Sequence, residues 1–221
     1  MTTAVAYLRS SVVQKFLMGL TGLVWLGFAA GHMAGNLLLF KSADAYNKYG
    51  HFLITNPAIY IAELVLVASL LIHFVVAAQL TIKNRQARLT RYAVEPSDAK
   101  AASLAQKSMI YTGSLVLVFI IYHLVTFKFG PYYSTTVGGV EMRDLHRLVV
   151  EVFQNPFYVG WYAVCLVLLG FHLSHGFSSV FQSLGFSHPK WNPMIKKMAL
   201  AYALVVAGGF LAQPFYVYWV H

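Results

Sequence analysis

The chain has 221 residues, 58% hydrophobic and only 10% charged, with 16 Lys and Arg against 7 Asp and Glu. An ordinary soluble domain does not have this composition, and its long uncharged stretches suit a bilayer, where every backbone polar group must pair within its own helix. The single cysteine, Cys165, rules out disulfides and thiolate metal clusters within the chain. The basic excess belongs to no soluble module that would make it a nucleic-acid surface.

Five runs exceed the roughly 20 residues that hydrocarbon about 30 Å thick demands: 16–40, 57–82, 108–127, 156–181 and 198–220. The first is too long for a signal-peptide core, and no small-residue cleavage site follows it. It carries Gly19, Gly22, Gly27, Gly31 and Gly35, and it contains "TGLVWLGFAAGH", Thr21 to His32. The segment "ADAYNKYGHF", Ala43 to Phe52, follows as a lid, with Tyr46, Lys48 and His51 facing the outer region. The second run opens on Asn56-Pro57 and carries His73 and its only charge, Glu63. An acid inside a span is a functional candidate, here for proton exchange; its structural alternative is pairing with Lys41, Lys48 or a tyrosine.

Loop 83–107 is polar and basic. The third run repeats the first: "TGSLVLVFIIYH", Thr112 to His123, again places the histidine ten positions after the glycine. Next comes a turn-rich tip, "GPYYSTTVGG". After it, Met142, Leu145, Val149 and Phe153 share one face of a short interfacial helix. The fourth run repeats the second: Asn155-Pro156 precedes His172 by the interval that separates Asn56-Pro57 from His73. His175 has no counterpart, because the matching residue is Val76, and it takes a structural role such as donating to a carbonyl or carboxylate. The fifth run has no internal histidine.

With the N-terminus inside, the inner side collects Arg9, Lys15, Lys83, Arg85, Arg88, Arg91, Lys100, Lys107, Lys190, Lys196 and Lys197. The outer side holds Lys41, Lys48, Lys128, Arg143 and Arg147. The positive-inside rule therefore predicts N-in, C-out. At about 1.5 Å per residue, His32 and His123 each lie about 25 Å above the inner lysines, and His73 lies about 15 Å from Lys83. The histidines thus form two level pairs, His32 with His123 outside and His73 with His172 inside.

Bis-imidazole ligation of haem b needs such pairs on opposed helices, with both axial positions filled. Small residues such as Gly27, Gly31, Gly170 and Gly176 would let a macrocycle approach the backbone; the alternative is that they serve close helix packing. His51, His146, His188 and His221 fall in loops or at the end.

These residues resemble the single-chain, five-helix, di-haem cytochrome b subunits of succinate:quinone oxidoreductases, the succinate dehydrogenases and fumarate reductases. The likeness lies in "GHMAGN" around His32, "ADAYNKYGHFLITNP", "YIAEL…LLIHFVVA" through His73, "FIIYHLVTF" around His123 and "FHLSHG" around His172. It implies one transmembrane cytochrome b domain over 1–221: all-α, five spans, the first four forming a di-haem bundle in a bacterial cytoplasmic (inner) membrane. It also implies two haems b, with His32, His73, His123 and His172 as the iron ligands. It implies quinone chemistry near the outer haem, with menaquinone the expected species and Glu63 the catalytic candidate. The expected partners are a cytoplasmic iron–sulfur subunit and an FAD flavoprotein. Fumarate reductases of this type carry a glutamate two residues before the fourth ligand; Gly170 stands there, which favours succinate oxidation. The rival readings are a di-haem anchor of a hydrogenase, formate dehydrogenase or nitrate reductase, or a cofactor-free proton channel or transporter.

Overall fold

A computed structural model describes residues 10–86 and 104–220, with only the helical backbone described for 104–107. The protein is mostly helical, and five of its helices are long and apolar enough to cross a membrane. Helix α1 (Ser11–Asn36) starts where the Ser10 hydroxyl accepts from Val13 N, and a 3₁₀ turn (Leu37–Phe40) ends it. Helix α2 (Ala43–Thr55) is the predicted lid, an amphipathic helix capped by Ser42. Helix α3 (Ala58–Gln86) is the second span. Helix α4 (Leu104–His123) is the third and runs into a π-helical turn (Leu124–Lys128) immediately after His123.

A hairpin of strands β1 (Ser134–Val137) and β2 (Val140–Arg143) follows. Gly138 and Gly139 make its two-residue turn with φ of 61° and 80°, a conformation that favours glycine. Helix α5 (Leu145–Phe153) is capped by Asp144. Helix α6 (Pro156–Ser183), the fourth span, is set by Asn155 as cap and Pro156 in the first turn. Helix α7 (Asn192–Val220) is the fifth.

Two sequence readings need correction. Met142 is not on the short helix: it lies on β2, because a hairpin occupies the tip that reads only as turn-rich. The face of α5 that suggested an interfacial helix instead buries Leu148, Val149 and Phe153 against the protein, together with Met142 from β2. Asn47 ties α2 to this unit, donating to Asp144 Oδ1 at 2.8 Å and accepting from His146 N at 2.9 Å. Helices α2 and α5 thus close one end of the bundle. Arg9, Arg88, Arg91, Lys100 and His221 lie outside the described residues, as does most of loop 83–107.

Helices α1, α3, α4 and α6 form a square. Helix α1 packs on α3 and α6, and α6 packs on α4, while α3 and α4 touch only lightly. The diagonals α1–α4 and α3–α6 make almost no direct approach. Helix α7 lies outside the square against α6 and α1, fixed where Gly170 meets Ala207 and where the Tyr202 hydroxyl donates to Leu26 O. Only 11% of the apolar windows of α3 and α4 is buried, and Leu64, Val67 and Leu71 are exposed. Such apolar faces suit contact with lipid. At the end away from the cap, Lys83 donates to Gln14 at 2.8 Å, which puts the start of α1 and the end of α3 at one level.

Candidate functional site

The four histidines singled out by the sequence occupy the two diagonals of the square. His32 on α1 and His123 at the end of α4 bring their ring centroids to 5.8 Å with planes at 85°. Two imidazoles on one metal ion stand roughly 6 Å apart, from two bonds of about 2 Å and half a ring on each side. Each ring has an aromatic neighbour four residues earlier on its own helix. Phe28 stacks on His32 at 5.2 Å, and Phe119 lies 5.9 Å from His123.

His73 on α3 and His172 on α6 form the second diagonal and lie within electrostatic range of each other. Here the Thr-Gly repeat finds its physical use. Thr21 Oγ1 lies 3.0 Å from His73 Nδ1, and Thr112 Oγ1 lies 3.3 Å from His172 Nδ1. Beside His172, Gly113 leaves room for the ring, since a Cβ there would sit 3.1 Å from Cε1; a Cβ on Gly22 would meet Val180 at 3.2 Å and the His73 ring only at an ordinary 3.7 Å. Eleven residues separate each threonine from the histidine further along its own helix. The two levels are therefore about 16 Å apart on both α1 and α4.

All four rings use Nδ1 and keep Nε2 free of hydrogen-bond partners among the described residues. His123 Nδ1 faces the Tyr162 hydroxyl at 3.3 Å, and His32 Nδ1 faces Asn36 Nδ2 at 3.4 Å. Metal-bound imidazoles donate one ring N–H to the protein and offer the other nitrogen to the metal. His73, His123 and His172 face hydroxyl oxygens that can accept, whereas His32 Nδ1 faces an amide donor. His175 uses the other nitrogen: its Nε2 is 2.9 Å from the Ser179 hydroxyl on its own helix. If the other four histidines ligate haem, replacing His175 with alanine is therefore expected to leave the haem content of the purified protein unchanged. Loss of one haem would show that the fourth-helix ligand has been misassigned.

The glycines divide into two sets. Gly19 meets Ser183, Gly35 meets the Tyr49 ring, and Gly170 meets Ala207, so these three serve helix packing. A Cβ on Gly27, Gly31 or Gly176 would meet nothing within 4 Å, so these positions keep backbone faces open.

Glu63 takes neither lysine that the sequence suggested. It pairs with Lys128, the last residue of the π-helical turn, joining the start of α3 to the turn that ends α4. Lys48 is exposed and His51 half-buried on α2. Tyr46 is buried and donates to Asn36 Oδ1 at 2.7 Å; burial holds its phenol well above the ordinary range, so it remains a donor. Asn36 and Tyr162 were not singled out by the sequence. Tyr162 meets His123 from another helix, and Asn36 meets both His32, four residues earlier, and Tyr46 from the lid. The Thr-Gly pairs were visible as a repeat, but not as contacts. Among the described residues, no three His, Cys, Asp or Glu cluster as a metal site of their own. Comparison with protein-family models, curated proteins and solved structures gave no match.

Proposed function

We propose that this protein is the di-haem membrane anchor of a succinate:quinone-type oxidoreductase. His32 and His123 would hold the outer haem b, and His73 and His172 the inner one. The observation that carries this reading is the placement of the four imidazoles as two facing pairs on the diagonals of a four-helix square, each with Nε2 free of hydrogen-bond partners among the described residues. Cofactor sites in helical bundles are built from such facing side chains. Haem with two axial imidazoles supplies one-electron chemistry at an iron closed to other ligands.

The chain's own residues then orient the rings, keep the levels apart and serve the quinone. Basic residues gather at the end of α3, where Lys83 and Arg85 lie, and before α7. This supports N-in, C-out insertion in a bacterial inner membrane, with the inner level toward an iron–sulfur subunit and its flavoprotein. The capped outer end holds Glu63 against Lys128. Glu63 is the group assigned to proton exchange with a quinone, menaquinone being the expected species.

Purification of the complex tests the assignment. A flavoprotein and an iron–sulfur subunit are expected to accompany the chain; a nickel or molybdenum subunit would overturn the choice of complex. Glu63→Gln keeps the shape but loses both the titrating oxygen and the charge paired with Lys128. It is expected to cut quinone turnover about 100-fold, the lower end of the range for positioned acid–base groups. Haem spectra should persist, and normal turnover would dismiss the proton role.

A further inference from the structure

We propose that Thr21 and Thr112 are positioning residues that pre-set His73 and His172 as Nε2 ligands, an inference that rests on the haem reading above. A threonine hydroxyl has one proton to donate. Thr21 Oγ1 lies 2.8 Å from Leu17 O and 3.2 Å from Met18 O, so its proton is committed to its own helix. Toward His73 it offers only a lone pair, and Nδ1 must carry the ring proton. The lone pair of a neutral His73 is then on Nε2, directed away from the threonine. Thr112 repeats the arrangement. Its hydroxyl lies 3.2 Å from both Ser108 O and Met109 O and accepts from His172 Nδ1.

The outer level has no such lock. Asn36 Nδ2 donates to His32 O at 2.8 Å, and its Oδ1 is taken by Tyr46, so no acceptor on Asn36 faces His32 Nδ1. The Tyr162 proton has no backbone acceptor among the described residues, so it does not decide which way the bond to His123 runs. The inner pair is therefore built as a ligand pair before any metal arrives, and the outer pair is not. Glycine follows each threonine, and Gly113 makes room for the His172 ring on the helix that supplies its acceptor.

Outer-haem ligation and helix packing do not need these hydroxyls, which makes the inference separable. Thr21→Val and Thr112→Val keep the side-chain shape and remove the acceptor. In the purified complex each is expected to lower retention of the inner haem about 10–100-fold against a competing apo-haemoprotein, the usual cost of losing a partner that orients a metal-bound imidazole. Each is also expected to raise the inner midpoint potential in a redox titration, because the ring donates less electron density to the iron. Thr21→Ser and Thr112→Ser should restore both values. The inner signal is the one that a His172 variant loses.

Valine variants whose inner potential and retention match the wild type would overturn the inference. Should the valine variants fail to assemble, Thr21→Cys, a weaker acceptor of similar size, must raise the potential, and an unchanged value would overturn it equally. A wild-type complex without haem would instead defeat the haem reading itself.

Discussion

Replacing His172 with leucine is expected to remove one of two haems and leave the other in place. The reduced-haem absorbance per chain should fall by about half, and electron delivery between the soluble partner and quinone should collapse. On the proposed assignment His73 and His172 are the two ligands of one haem, and His73 alone would leave that haem a ligand short. The fold should tolerate the change. Leucine is at home in a span, and Thr112 keeps its bonds to Ser108 O and Met109 O, so no new buried donor is orphaned. The outer pair, about 16 Å away along the helices, shares no hydrogen-bond partner with His172. A full haem complement in this variant would remove His172 from the ligand set.

Gly113→Val should have the next largest effect, through space rather than chemistry. Any Cβ here stands 3.1 Å from His172 Cε1 and 3.6 Å from Nδ1, and the valine methyl groups reach further. The ring cannot retreat freely, because Thr112 on the same turn holds its Nδ1. Overpacking of this kind costs about 1–3 kcal/mol, or roughly a 5- to 150-fold loss of inner-haem affinity. Helix propensity works the other way, since valine is a better helix former than glycine. A loss therefore reports on the ring and not on α4. Haem titration of the variant measures it, with Gly160→Ala as control, since a Cβ there meets nothing within 4 Å. Wild-type affinity in Gly113→Val would mean that the His172 ring does not sit where these contacts place it.

The spans were legible in the sequence because lipid leaves the backbone little choice. Their ends were less so. Helix α7 starts at Asn192, before the apolar run at 198, because Ile195 and Ala199 are buried while Lys196 and Lys197 lie on the exposed side. Ala43–Phe52 was read as a covering segment, but its helical form and the Tyr46–Asn36 bond depend on tertiary contacts. Gly138-Gly139 is a hairpin turn that reads only as loop when the flanking strands are four residues long. The histidine levels followed from counting residues along helices, and counting carries no information about which neighbouring helix supplies a partner. For that reason Thr21 with His73, Tyr162 with His123 and Lys128 with Glu63 emerged only from the packed bundle.

Haem quantification on the purified protein, combined with a reduced-minus-oxidised spectrum, tests the central claim most directly. Two haems b per chain, both low-spin with two nitrogen ligands, are the expected result. A chain that is folded and inserted but binds no haem, or binds it with an open axial position at both levels, would contradict it.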